Sequence, residues 1–117
     1  MTAAPWDAAM REVTGIPGVR GALVISSDDG LIVAETAMDD LATADVAALA
    51  AAIIARAGRA TSSVDGSAPT SVQFVAEGGA IFAVAGVVPL WLVAVARPDA
   101  ELGRLRVLLR DFAGALG

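Results

Sequence analysis

Four groups of residues could do chemistry. Asp28 and Asp29 stand together ahead of Gly30, and adjacent carboxylates can suggest a cation site. Asp39, Asp40 and Asp45 form a second acidic group, of a kind that can do acid–base work when one carboxyl perturbs another. Gly15-Ile16-Pro17-Gly18-Val19-Arg20-Gly21 is glycine-rich, as phosphate cradles are. Arg56 and Arg59 could meet the polar rim of a partner. Each group has a plainer reading. Ser27-Asp28-Asp29-Gly30 reads as a turn, since Asp-Gly accepts the positive φ of tight hairpins. The second acidic group sits where a helix dipole favours carboxylates. The glycine-rich segment precedes a strand and lacks the Lys-Ser/Thr of a P-loop. The two arginines suit a helix C-terminus equally well.

Composition narrows the chemistry further. The chain of 117 residues has no Cys, His or Tyr. That removes disulfides, thiolate metal sites, cysteine nucleophiles and the Ser-His-Asp triad. The net charge is -5, and all eight cations are arginine, with no basic stripe for nucleic acid. No catalytic residue, cofactor site or metal site is expected. The apolar fraction of 56% is high for a domain of this size. No apolar run approaches the roughly 20 residues that span a bilayer. The N-terminus lacks the basic start and apolar core of a signal peptide. A cytoplasmic protein with no membrane insertion is expected, its apolar surplus assigned to a protein interface.

The elements follow from periodicity and punctuation. Pro5 to Thr14 reads as a short helix, with Pro5 at its first position, Gly15 just past its end, and Trp6, Met10 and Val13 on one side. Val19 to Ser26 and Leu31 to Glu35 form a hairpin. Asp39 to Ala60 reads as a long Ala-rich helix capped by Thr43. Thr61 to Pro69 reads as a loop. Ser71 to Glu77 alternates as a half-exposed strand. Ala80 to Val87 and Leu90 to Ala96 are apolar at every position, so both faces of that hairpin need cover. Ala100 to Leu116 is the last helix, with Leu102, Leu105, Leu109, Phe112 and Leu116 on one face. One domain over residues 1–117 is expected, α/β in class, with a five-stranded, mostly antiparallel sheet between a long central helix and the terminal helices.

The central helix has an unusual surface. At about 100° per residue, Val46, Leu49, Ala50, Ile53 and Ala57 make one apolar face, expected to pack on the sheet. Ala47, Ala51 and Gly58, with Ile54 at their edge, make a second stripe. Ala48, Ala52 and Ala55 make a third. No charge occurs between Asp45 and Arg56. A helix apolar on several sides needs cover on several sides, so a second chain is expected against it.

Ile16 to Val24, followed by Asp29-Gly30-Leu31, resembles the opening of the roadblock/LC7 domain. The Ala-rich central helix resembles the family's own. Leu92-Val93, followed by Gly103-Arg104-Leu105-Arg106, looks like its closing pattern. The resemblance implies an α-β-β-α-β-β-β-α roadblock/LC7-like chain. It implies a homodimer in which central helices pair and third strands meet edge to edge, with a related roadblock chain as an alternative partner. It also implies a non-catalytic regulator or scaffold of a small Ras-like GTPase, docked on the paired helices as in the bacterial gliding-motility branch. Ala47, Ala51, Ile54, Gly58, Val72 and Phe74 are then the expected dimer contacts. Ala48, Ala52, Ala55, Arg56 and Arg59 are the expected partner contacts. One departure is the turn Gly86 to Trp91, apolar here and usually polar in the family, which suggests a further contact. The sequence shows no long extension that could wrap a GTPase. The alternative function is an adaptor that joins other proteins in a signalling or motility complex whatever the nucleotide state. A third, an enzyme or small-ligand sensor on a similar fold, has no residues to support it.

Overall fold

Leu90–Ala96, apolar at every position, is the middle strand of five. The structure, a computed structural model, describes residues 6–38 and 41–113. The order is α1 (Asp7–Thr14), β1 (Val19–Ser26), β2 (Ile32–Ala37), α2 (Thr43–Val64), β3 (Ser71–Ala76), β4 (Gly79–Ala85), β5 (Leu90–Ala96) and α3 (Leu102–Ala113). The strands lie β2-β1-β5-β4-β3, and every neighbouring pair is antiparallel. This is the expected α/β class and element order. β5 pairs on both edges, with Leu23 opposite Val93 on one side and Ala83 opposite it on the other.

Both faces of the sheet are covered. α1 and α3 lie on one face, where Met10, Val13, Leu105 and Leu109 meet Val24, Phe82 and Leu92. α2 lies on the other, where Ala47, Ala50 and Ile54 meet Leu23, Ile25, Trp91 and Val93. Leu23, Ile25, Leu92, Leu105 and Leu109 are fully enclosed. Each such side chain contributes about 1.5–3 kcal/mol of burial.

Several boundaries differ from the sequence reading. α2 starts at Thr43, so Thr43 is the first helical residue and Ala42 the cap, with no side-chain capping bond. Asp39 and Asp40 lie outside the described residues, as do Pro5 and residues 114–117. α2 continues past Ala60 because its hydroxyls turn back on the helix. Thr61 Oγ1 donates to the Ala57 carbonyl at 3.1 Å and Ser63 Oγ to the Arg59 carbonyl at 3.0 Å. Arg56 and Arg59 therefore sit within the helix and not in its last turn, which has no basic residue. The chain then turns at Asp65, whose Oδ1 accepts the Ser67 hydroxyl at 2.6 Å and the Ser67 amide at 2.9 Å. Those bonds hold the Asp65 carboxyl below its ordinary pKa.

Gly15 is a right-handed residue with φ -76°, so the left-handed position falls three residues later, at Gly18 with φ +92°. Gly18 brings β1 against the start of α3, and its carbonyl accepts the Arg97 amide at 2.7 Å. A Cβ there would stand 2.7 Å from the Ala100 Cβ. Gly66 has a similar φ of +78° but open space around it. Gly18→Ala is therefore expected to cost about 3 kcal/mol, backbone strain plus collision. Gly66→Ala is expected to cost about 1 kcal/mol, strain alone. Urea unfolding of the two variants checks this, and equal losses would refute the close packing at Ala100.

Candidate functional site

The acidic and glycine-rich groups resolve as structure. Asp29 Oδ1 accepts the Leu31 amide at 3.0 Å, which closes the β1–β2 turn, with Gly30 at φ +73°. In the glycine-rich segment the amides of Gly15, Ile16 and Val19 bond backbone carbonyls of the same segment or of α1, and Pro17 has no N–H. Few donors remain to cradle a phosphate. Among the described residues, no three Asp or Glu side chains gather closely enough to hold a metal ion. Nor, among the described residues, is any helix long and apolar enough to cross a membrane.

What remains is surface, and α2 supplies most of it. Ala47 and Ile54 are 1% and 7% exposed, while Leu49 is 50% exposed. The helix is thus rotated from the expected orientation. The residues facing the sheet are Ala47, Ala50 and Ile54, with Val46 and Ala51 beside them. The β1–β2 turn packs on the same side of the helix. Gly30 packs over Ala47, Ala48 and Ala51, close enough that a Cβ on it would lie 3.5 Å from the Ala51 Cβ. Gly58 meets Pro69 at the other end of the helix. The stripe expected to offer dimer contacts, Ala47, Ala51, Ile54 and Gly58, is therefore turned to the protomer's own sheet, hairpin and loop.

The outward face consists of Asp45, Ala48, Leu49, Ala52, Ala55, Arg56 and Arg59, all exposed. The five residues expected to meet a partner lie on it. Between Asp45 and Arg56 this face carries only Ala and Leu. Leu49 escapes a sequence reading because a large apolar residue is assigned to the core by default.

β3 continues this surface at the edge of the sheet. One edge of the strand is unpaired, a row of free amides and carbonyls ready to pair with another chain. Phe74 and Val75 are 52% and 56% exposed. Val72 and Phe74 point to the α2 side, where they line a small apolar groove with Ala50, Ile53, Ile54 and Ile81. The helix residues that border this groove are Ala50, Ile53 and Ile54. A third apolar spot is the β4–β5 turn, where Val87 and Val88 are exposed and Trp91 is buried under α2.

A family model described as the Roadblock/LC7 domain matches residues 7–93, from α1 into β5. The chain belongs to the roadblock/LC7 family. Its resemblance to solved roadblock structures covers nearly its whole length. The roadblock/LC7 domain from Streptomyces avermitilis is 19% identical, with a TM-score of 0.83 over 98% of this chain and 95% of that one. The gliding protein MglB from Thermus thermophilus is 19% identical, with a TM-score of 0.86 over 99% and 90%. MglB from Myxococcus xanthus is 13% identical, with a TM-score of 0.84 over 99% and 94%. At such identities the likeness is one of fold. No curated protein matches the sequence.

Proposed function

We propose that this roadblock domain works as a homodimer that regulates or scaffolds a small Ras-like GTPase, binding it by shape and supplying no catalytic group of its own. One observation carries the reading: an outer face of α2 that is uncharged between Asp45 and Arg56 adjoins an apolar, unpaired strand edge at β3. Two copies joined at β3 would cover Phe74 and Ile53 and form one continuous sheet. Their α2 helices would then lie side by side, flanked at Leu49 and Ile53. The Ala48–Ala52–Ala55 stripe would face outward, rimmed by Arg56 and Arg59, as a smooth platform for a partner. Small side chains suit such a platform because they let a partner backbone approach closely.

The gliding protein MglB supports the reading by its shared fold, and the family resemblance supports it by the partners it implies. A pull-down with this chain as bait tests it, run once with a non-hydrolysable GTP analogue and once with GDP. Retention of a small GTPase only with the analogue is the expected result. Equal retention of other proteins in both states would replace it with the adaptor reading, and the exposed Val87–Val88 turn would be the first surface to mutate.

Arg56→Ala and Arg59→Ala are each expected to weaken GTPase binding about fivefold, roughly 1 kcal/mol, as rim charges do. Any stimulated hydrolysis at saturating protein should survive. Loss of hydrolysis by orders of magnitude with binding intact would instead make one of them an inserted catalytic arginine. Titration of GTPase turnover against each variant separates the two.

A further inference from the structure

The sheet face opposite α2 carries a second groove, bordered by β3 and apart from the α2 platform. α3 packs on β4 and β5. On β3, Ser71 and Gln73 lie opposite Val84 and Phe82 in the strand register, and so share the α3 side of the sheet. The groove between α3 and β3 is shallow, with Arg106 and Arg110 on its helical wall. The Arg106 guanidinium carbon lies over the Phe82 ring, 5.9 Å from its centroid.

The charge of this groove is out of keeping with the chain. No Asp or Glu lines it, although the protein carries -5 overall. Neither Arg106 nor Arg110 forms an ion pair among the described residues, whereas Arg104 on another side of the helix pairs with Glu101 at 3.6 Å. α3 also lies beyond the residues that the family model matches. Arg106 and Arg110 stand one helical turn apart, about 6 Å along the axis. Alternate side chains of an extended peptide are spaced about 7 Å apart on one face. Two carboxylates at alternate positions would therefore meet the two guanidiniums in register, and the Ser71 and Gln73 side chains could bond the peptide's backbone.

We infer that the α3–β3 groove docks an extended acidic peptide segment with carboxylates on alternate residues. The groove belongs to one protomer, so the inference rests on neither the dimer nor the GTPase reading. The test is fluorescence anisotropy with a labelled heptapeptide carrying Glu at three alternate positions, against a control with Gln in their place.

Saturable binding of the Glu peptide is expected, with the Gln peptide at least about tenfold weaker and the affinity falling as salt rises. Arg106→Gln/Arg110→Gln should weaken the Glu peptide about tenfold or more at unchanged melting temperature. Arg104→Gln should leave it within about twofold, since that side chain is outside the groove. A Phe74→Glu monomer should still bind, which separates failure of this inference from failure of the dimer. Equal binding of both peptides, or an unaffected Arg106/Arg110 double variant, would overturn the inference. So would capture by phosphatidylserine vesicles without peptide binding, which would assign the arginines to a membrane surface.

Discussion

Phe74→Glu is expected to return a monomer by light scattering at concentrations where the unmodified chain is a dimer. Phe74 lies on the exposed edge strand, on the α2 side of the sheet, half covered in the protomer. In the proposed edge-to-edge dimer, two copies of it would meet near the two-fold axis with Ile53 and Val72. A carboxylate in that position must leave water beside its own symmetry mate. Burying even one unpaired charge costs several kcal/mol. The dimer dissociation constant is therefore expected to rise at least about a hundredfold, roughly 2.7 kcal/mol. The protomer should survive, since an edge residue already half in water contributes little to the core. Val75→Gln, on the opposite face of the same strand, is the control and should leave the mass unchanged. A dimer that persists in Phe74→Glu would move the interface off β3.

Ala47→Glu and Ala48→Glu test the rotation of α2. The two residues are neighbours of the same type, and only the tertiary structure tells them apart. Ala47 is 1% exposed, enclosed by Leu23, Ile25 and the β1–β2 turn, while Ala48 is exposed. A glutamate at position 47 has no cation to pair with and no room. The expected loss is about 3 kcal/mol or more, a drop in melting temperature of roughly 10 °C or more. At position 48 the change should stay within about 0.5 kcal/mol for the monomer. Thermal unfolding by circular dichroism reads both. Equal melting temperatures would mean the helix faces the sheet with another stripe. Ala51→Glu would be a poor probe of dimerisation for the same reason. It pushes against the Gly30 turn, so the fold and the interface would fail together.

The order of elements was legible because local signals agree with one another. Pro, Gly and Asp-Gly punctuate the chain where the turns occur, and the doubly apolar strands β4 and β5 announce a sheet covered on both faces. The absence of His, Cys and Tyr settled which chemistries the residues could not perform, and that follows from composition alone. The end of α2 was misjudged because Thr61, Ser62 and Ser63 look like loop residues until the Thr61 and Ser63 hydroxyls bond back to the helix.

The facing of α2 was beyond the sequence for a physical reason. No charge between Asp45 and Arg56 marks which side of this helix faces outward. The side that turns inward is the one that also packs against a turn 17 residues upstream, where Gly30 lies over Ala47. Strand order was equally out of reach of local signals. The edge position of Ser71–Ala76 was available only through the family resemblance, since its alternation shows a half-exposed strand and not which neighbour it lacks, and that position leaves Phe74 exposed. The α3–β3 groove depends on Arg106 reaching Phe82, 24 residues away. Sequence alone determined which elements form and which reactions are excluded, because those depend on residue type and local spacing. Tertiary structure alone decided which faces meet water, because that depends on packing between residues the chain holds far apart.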